Sequence, residues 1–177
     1  MGPFTVRLRA AEGFGARALE FAIPTAARSG EVRGASWAKF DVDAATWVIP
    51  AERMKMKKEH RVPLSDTALS LLAAPPRMAG TDLVFLAPRG GKLSDMTLTA
   101  VLRRMDIPAV PHAFRSTFRD WAAERTNYPR DVAEMALAHA IGDKAEAAYR
   151  RGDLFENRRP MMADWAMFLA KPEVTRT

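Results

Sequence analysis

Six side chains between positions 28 and 149 together have the chemistry needed to handle one phosphodiester. Two arginines and a lysine can neutralise a phosphate, two histidines can hydrogen-bond it or move protons, and a tyrosine can attack it. These residues are Arg28, Lys55, His112, Arg115, His139 and Tyr149. They come from separate segments of the sequence, so only the fold can assemble them into one site.

The segment PHAFRSTFRDWA predicts an amphipathic helix with one basic face. His112, Arg115 and Arg119 fall on one stripe of that helix because they are spaced three and four residues apart. The opposite stripe is aromatic and consists of Phe114, Phe118 and Trp121. The planar guanidinium of arginine can donate paired hydrogen bonds to two phosphate oxygens at once. The alternative is a helix whose basic groups are simply solvated.

The segment TAARSGEVRGASW places Arg28 just before a predicted helix start, where free backbone N–H groups favour an anion. Ser29 is the expected cap of this short helix. Glu31 lies in the first turn, where the helix dipole favours an acid, and is placed to support the Arg28 guanidinium. The alternative is an ordinary surface Arg–Glu pair, which contributes little to stability.

The segment RMKMKKEHRVPL is strongly basic and is expected to form a turn between two strands. Its cations are Arg53, Lys55, Lys57 and Lys58. A charge run of this kind is usually a solvated turn. It also suits contacts to a phosphate backbone, because each contact releases condensed counterions.

The segment LAHAIGDKAEAAYRR contains a histidine and a tyrosine ten residues apart. His139 ends an apolar helix, where a histidine commonly has a structural role. Tyr149 lies among helix-forming residues, where an aromatic side chain is often part of a core. The chain's other tyrosine, Tyr128, stands before Pro129 in a turn. Tyr149 is therefore the stronger candidate for a nucleophile.

Several other chemistries lack their residues in this sequence. No Gly-rich loop is followed by Lys-Ser or Lys-Thr, so nucleotide hydrolysis is disfavoured. Acidic residues do not cluster with histidines at metal-ligand spacing, and no Gly-x-Ser-x-Gly elbow occurs. The chain has no cysteine, which excludes disulfides and thiol nucleophiles. We expect a reaction that uses no metal and no cofactor.

The elements that must position these residues predict a mainly helical α+β domain with one small antiparallel sheet. Residues 11–23 predict a helix that Pro24 ends or kinks. Short β-branched runs between Trp37 and Leu64 predict two or three strands. Further helices are expected at 65–74, 95–105, 111–125, 130–138, 143–151 and 157–170. The last helix has an apolar stripe that can pack on its own domain or on a neighbouring protomer: Met161, Trp165, Phe168 and Leu169.

Composition indicates one globular domain with an affinity for polyanions. The 177 residues are 48% apolar and 27% charged, which is typical of a folded chain. The net charge of +6 favours a polyanionic partner. No apolar run approaches the roughly 20 residues that span a bilayer, and we expect no membrane partner.

These four segments, in this order, resemble the catalytic domain of the tyrosine recombinases, or phage-type integrases, and most closely those of prophages and genomic islands. The resemblance covers roughly residues 11–170. It implies that Tyr149 attacks the scissile phosphate to give a 3′-phosphotyrosine, while Arg28 and Arg115 hold the non-bridging oxygens. It further implies that His112 assists proton transfer or contacts the phosphate, and that His139 hydrogen-bonds a phosphate oxygen.

The same resemblance implies which residue protonates the leaving group and what the chain binds. Lys55, or Lys57 as the second choice, would protonate the leaving 5′-oxygen. The partner would be double-stranded DNA, contacted by Lys57, Lys58, Arg150 and Arg151. We expect a tetramer on DNA, a monomer when free, and a place at the nucleoid in a bacterial cytoplasm.

The resemblance also predicts the domain organisation and leaves two alternatives open. Residues 1–177 are expected to be a single catalytic domain, without the N-terminal DNA-binding domains of the family. A type IB topoisomerase uses much the same Arg, Lys, His and Tyr chemistry to relax DNA. An integrase remnant would bind DNA without cutting it.

Overall fold

The computed structural model describes residues 2–139 and 152–171, and in those residues eight α-helices surround a three-stranded antiparallel sheet. The strands are β1 (Phe40–Asp41), β2 (Thr46–Ile49) and β3 (His60–Pro63), in the order β1–β2–β3. The helices are α1 (Gly2–Ala10), α2 (Phe14–Thr25), α3 (Ser29–Arg33), α4 (Asp66–Ala73), α5 (Thr97–Arg104), α6 (Ala113–Arg125), α7 (Arg130–Ala136) and α8 (Phe155–Ala170). The predicted α+β class with a small antiparallel sheet is confirmed.

Helix α2 is the centre of the core, because most of its side chains are buried. The ring of Phe21 packs against Trp47 of β2, with ring centroids 5.6 Å apart. The indole N–H of Trp165 in α8 donates to the Ile23 carbonyl at 2.9 Å. One apolar cluster runs from Leu8 to Leu169 and so joins the sheet, α2 and α8.

Helix α1 is an element that the sequence patterns did not predict. Its nine residues show little amphipathic pattern. Contacts with distant segments of the chain hold the helix in place. Phe4 stacks on Phe114 with ring centroids 5.5 Å apart. Arg7 donates to the Met105 carbonyl at 2.7 Å. Tertiary contacts of this kind leave no local signal in the sequence.

Two predicted helix boundaries near the first arginine are wrong. Helix α2 continues through Pro24 to Thr25 and then turns at Ala26, which has a left-handed φ of 50°. Ser29 is the first residue of α3 rather than its cap, and Arg28 occupies the cap position. The Ser29 hydroxyl accepts instead from Arg33 Nε at 3.3 Å.

Helix α8 packs on its own domain, which is one of the two arrangements expected from its apolar stripe. Met161 and Trp165 are fully buried, and Leu169 is nearly so. Trp165 contacts the rings of Phe118 and Phe168. The helix predicted at 143–151 lies outside the described residues.

Candidate active site

Arg28 and Arg115 meet at one backbone oxygen, although they come from distant parts of the chain. Arg28 precedes α3, and Arg115 lies in the first turn of α6. Both Nη2 atoms donate to the carbonyl of Leu137, Arg28 at 3.2 Å and Arg115 at 2.6 Å. The fold thus places two guanidinium groups side by side at the end of α7.

Two alanines in the left-handed backbone conformation orient the carbonyl groups that hold these arginines. Ala26 ends α2 with φ 50°, and its carbonyl accepts from Arg115 Nη1. Ala138 follows α7 with φ 48°, and its carbonyl accepts from Arg28 Nη2 at 3.2 Å. A left-handed residue other than glycine costs on the order of 1 kcal/mol and persists where its surroundings hold it. Here it turns the carbonyls at two helix ends toward cations.

Arg115 is buried, with 4% of its surface exposed, so the predicted solvated face of α6 does not extend to it. Burial above all, and then the neighbouring Arg28 charge, lower its pKa to about 10, while Glu31 partly offsets both. The guanidinium therefore stays charged at neutral pH. Its Nε has no hydrogen-bond partner among the described residues.

Glu31 is the anion that holds Arg28, and the two form a partly buried pair rather than a surface one. The carboxylate is 5% exposed. It accepts from the Arg28 backbone N–H at 2.7 Å and from Arg28 Nη1 at 2.8 Å. The predicted support of Arg28 by Glu31 is therefore present in the geometry, and it fixes both the backbone and the side chain of Arg28.

A cleft of 320 Å³ opens beside the two arginines, and we call it the arginine cleft. Its lining includes Arg28, Gly30, Asp95, Thr99, His112 and Arg115. His112 is exposed and stands directly before α6. One imidazole and two guanidinium groups therefore face one solvent-accessible space, which suits an anionic ligand.

His139 adjoins this cluster through Arg115 and is oriented by Glu134. Its Nδ1 lies 2.7 Å from Glu134 Oε2, and its Nε2 lies 3.4 Å from Arg115 Nη2. A carboxylate only accepts, so Nδ1 carries the proton in this contact. Burial of the Glu134 carboxyl raises its pKa, but hydrogen bonds from His139 and Arg119 outweigh that effect and the net pKa is lowered.

The basic turn before β3 is hydrogen-bonded to the backbone of α3. Arg53 Nη2 donates to the backbone carbonyls of Gly30 at 3.1 Å and Glu31 at 2.8 Å. A Cβ on Gly34 would collide with the Arg53 guanidinium, so glycine leaves room for this contact. Lys55 lies two residues beyond Arg53 and is exposed. Within the described part of the chain, Lys55 is not among the residues that line the arginine cleft.

Within the described part of the chain, Lys57 and Lys58 are likewise not among the residues that line the arginine cleft. Lys57 and Lys58 are exposed in the same turn as Lys55. The residues expected to follow His139 in the site, Tyr149, Arg150 and Arg151, lie outside the described residues.

Tyr128 is engaged elsewhere in the molecule. Its hydroxyl donates to Asp164 at 2.7 Å. Burial and the Asp164 carboxylate raise the pKa of Tyr128 to about 12. It lines a separate cleft of 710 Å³ between α6 and α8, together with Trp121 and Phe168. A protonated, hydrogen-bonded phenol in that place is a poor nucleophile.

Two residues near the cluster were not selected from the sequence. Glu134 orients His139, and its position five residues before that histidine carries no recognisable motif. His60 begins β3 and hydrogen-bonds the backbone of Ala136, beside the carbonyl that both arginines share. Burial and the charge of Arg158 lower the pKa of His60 to about 4, so its ring is neutral at pH 7.

The described residues contain no group of three or more His, Asp or Glu side chains placed to hold a metal ion. Within the same ranges, 2–139 and 152–171, no helix is both long and apolar enough to cross a membrane.

Comparison with known proteins identifies the family. Residues 2–153 match the model of the phage integrase family. Prophage integrase IntA of Escherichia coli K12 is 38% identical over 148 residues, which are 80% of this chain and 35% of that protein. The integrase of Enterobacteria phage P4 is 33% identical over 172 residues, which are 86% of this chain and 39% of that protein. The chain thus spans well under half the length of these relatives.

Solved structures show the same fold. The integrase from mycobacterium phage Brujita has a TM-score of 0.71 at 17% identity, covering 99% of this chain and 60% of that one. XerA recombinase has a TM-score of 0.54 at 14% identity, covering 92% of this chain and 65% of that one. The match over 2–153 covers most of the sequence and all four segments that carry the predicted site. The chain belongs to the phage integrase family.

Proposed function

We propose that this chain recombines duplex DNA at specific sites, by breaking and rejoining strands through a 3′-phosphotyrosine intermediate. The observation that carries the proposal is the shared contact of Arg28 and Arg115 with the Leu137 carbonyl. Two positive charges held this close repel each other, and Glu31 offsets part of that repulsion. A phosphodiester in the arginine cleft would supply a further anion.

In the proposed reaction, the hydroxyl oxygen of Tyr149 attacks phosphorus and the bond to the 5′-oxygen of DNA breaks. The proton from Tyr149 passes to His112 or to solvent, and Lys55 gives a proton to the leaving 5′-oxygen. Rejoining is the reverse, with a 5′-hydroxyl attacking the phosphotyrosine. Covalent catalysis keeps the energy of the broken bond for rejoining, so neither metal nor nucleotide is required.

The two arginines would stabilise the charge of the pentacoordinate transition state. Arg115 suits this role because burial and two carbonyl contacts fix its orientation before DNA arrives. Glu31 holds Arg28, but the Arg28 side chain remains 28% exposed, so part of its guanidinium is open to the ligand. His139, oriented by Glu134, would hydrogen-bond a phosphate oxygen.

We infer that residues 1–177 act as one catalytic domain and that four copies assemble on DNA. A single apolar cluster from Leu8 to Leu169 supports one domain. Exchange between two duplexes breaks four strands, and each copy would carry one nucleophile. Lys57, Lys58, Arg150 and Arg151 would contact the DNA backbone without reading sequence. Such a reaction belongs at the bacterial nucleoid.

The test is a nicked suicide duplex that loses its 5′-hydroxyl fragment on cleavage and so traps the protein on DNA. The wild type should form a denaturant-stable, protease-sensitive adduct. Tyr149→Phe should bind DNA and form none. The matched control, Tyr128→Phe, should form the adduct as wild type does, because its hydroxyl is bound to Asp164. Adduct formation by Tyr149→Phe at the wild-type rate would refute the assignment.

Two further assays separate the alternatives. Relaxation of supercoiled plasmid without exchange between two sites would indicate topoisomerase activity. DNA binding with no adduct in any condition would indicate a remnant that has lost cleavage.

A further inference from the structure

Glu134 holds His139 at two points. The His139 backbone N–H donates to the Glu134 carbonyl at 2.9 Å, across the left-handed Ala138. The ring Nδ1 of His139 lies 2.7 Å from Glu134 Oε2. Because backbone and ring are bound to the same residue, the imidazole has one orientation, and Nε2 is the nitrogen that faces Arg115.

Glu134 is itself held in one orientation by Arg119. Arg119 Nε donates to Glu134 Oε1 at 3.0 Å, and Arg130 Nε lies 3.9 Å from the same oxygen. Burial of the Glu134 carboxyl raises its pKa, but the hydrogen bonds from His139 and Arg119 lower the net pKa, so Glu134 is ionised at neutral pH. One carboxylate oxygen is thus bound to arginine and the other to His139.

These contacts decide which ring nitrogen of His139 carries a proton. An ionised carboxylate only accepts hydrogen bonds, so Nδ1 is protonated, and in the neutral ring Nε2 then has a lone pair. Arg115 Nη2 donates to the Leu137 carbonyl at 2.6 Å and lies 3.4 Å from His139 Nε2. Nε2 therefore accepts from Arg115, and a neutral His139 has no ring hydrogen left to donate to a phosphate.

A phosphate oxygen beside Arg115 changes the proton balance of His139. The oxygen can accept from both Arg115 Nη2 and His139 Nε2 only if Nε2 gains a proton. The charge of Arg115 opposes this step, whereas Glu134 and the phosphate on opposite sides of the ring favour it. The other charged or titratable groups on the surrounding elements are Arg28, Glu31, His60, His112, Arg119 and Arg130.

We propose that Glu134, held by Arg119, is a positioning residue that makes His139 bind a DNA phosphate only as the imidazolium, so that binding takes up one proton. The opposite neutral tautomer would donate to the phosphate without a proton, and Glu134 excludes that tautomer. The charge gained adds to those of Arg28 and Arg115 at the phosphate. This inference rests on the proposed function, which places a phosphodiester in the arginine cleft.

The first measurement uses the protein without DNA. Nitrogen chemical shifts in NMR spectra distinguish the two neutral tautomers of an imidazole, and the chain has 3 histidines. Neutral His139 should carry its proton on Nδ1 in the wild type. Glu134→Gln should reverse this, because Arg119 only donates and so faces the amide oxygen. The amide NH2 then donates to Nδ1 and leaves the ring proton on Nε2.

The second measurement is the pH dependence of DNA affinity in Tyr149→Phe, which binds without cleaving. Above neutral pH, the logarithm of the affinity should fall by up to about one per pH unit, as expected for one proton taken up. Adding Glu134→Gln should flatten this profile, because its neutral ring already donates from Nε2. Adding His139→Gln should flatten it as well.

Two controls isolate this effect. His112→Gln, carried in every protein of the series, removes the titration of the other imidazole at the arginine cleft. Glu124→Gln changes an exposed carboxylate of α6 and should keep the slope of its parent.

A wild-type His139 with its neutral proton on Nε2 overturns the proposal, and so do equal pH slopes in Glu134→Gln and its parent. The wild-type tautomer is measured without any substitution, so it tests the proposal even where Glu134→Gln does not fold. Failure of the proposed function is distinct from these outcomes, since it appears as an adduct in Tyr149→Phe.

Discussion

The Glu31 carboxylate accepts both the backbone N–H and the guanidinium of Arg28, at 2.7 and 2.8 Å. One buried anion therefore fixes the backbone of the residue that caps α3 and the side chain of that residue, which reaches the Leu137 carbonyl. It also offsets the repulsion between Arg28 and Arg115, because its charge acts on both. Glu31 thus contributes to folding and to the arginine cleft through the same atoms.

Replacing Glu31 by Gln should destabilise the domain. The variant keeps one acceptor oxygen but leaves Arg28 and Arg115 without their nearby anion. The free energy of unfolding should fall by about 1–3 kcal/mol, the range for a buried polar partner that is removed. Urea unfolding at pH 7 measures this change. Glu156→Gln removes a carboxylate that is 79% exposed and should stay within about 0.5 kcal/mol of wild type. Equal midpoints for both variants would contradict the structural role of Glu31.

The sequence predicts the parts of the site that depend on local spacing. Arg28 and Glu31 are three residues apart across a helix start, so their pairing follows from the chain itself. The three-stranded sheet follows from β-branched runs, and α6 follows from its aromatic stripe of Phe118 and Trp121.

The rest of the site depends on groups that carry no sequence signal. Arg115 is held by the carbonyls of Ala26 and Leu137, and a carbonyl is present at every residue. His60 stands within a basic turn and looks solvated until β3 brings it against Ala136. Helix periodicity gives the face of a side chain, but it does not give what another segment places over that face.

Replacing Trp165 by Ala should cost about 3–5 kcal/mol of unfolding free energy. The side chain is fully buried, contacts Phe118, and donates to the Ile23 carbonyl, so the variant leaves both a cavity and an unpaired acceptor. Urea unfolding checks the value, with the exposed Met167→Ala as the matched control. A loss below about 1 kcal/mol would mean that α8 does not pack on its own domain in solution.

The stability of the domain should fall as pH drops from 7 to 5, because of His60. In the folded chain, burial and the charges of Arg158 and Arg115 lower its pKa from 6.5 to about 4, while Glu31 partly opposes them. Between these values the unfolded state binds a proton that the folded state does not, so protons favour unfolding. The slope should approach about 1.4 kcal/mol per pH unit.

Comparison with His60→Gln isolates this effect, since glutamine keeps a donor for the Ala136 backbone but does not titrate. Urea midpoints measured at half-unit steps of pH should give a flatter profile for the variant. Glu134 and Asp153 do not interfere, because their lowered pKa values place their titration below this window. Parallel profiles for wild type and variant would contradict the lowered pKa of His60.

Lys55→Ala should slow adduct formation by roughly a hundredfold or more if Lys55 is the general acid. A 5′-phosphorothiolate substrate should restore most of the rate, because a thiolate leaves without being protonated. Arg115→Ala should stay slow on the same substrate, since it loses stabilisation of the phosphorus centre instead. Single-turnover rates on the two substrates measure the difference.

Lys58→Ala is the matched control, because Lys58 is exposed in the same turn. Lys57 is less suitable as a control, because its backbone is left-handed with a φ of 52° and a substitution there also changes the backbone strain. Lys58→Ala should cleave at the wild-type rate once DNA is saturating. It should reduce the salt dependence of DNA affinity by about one counterion, as expected for a lost phosphate contact. Phosphorothiolate rescue of Lys57→Ala, with no effect of Lys55→Ala, would transfer the general-acid role to Lys57.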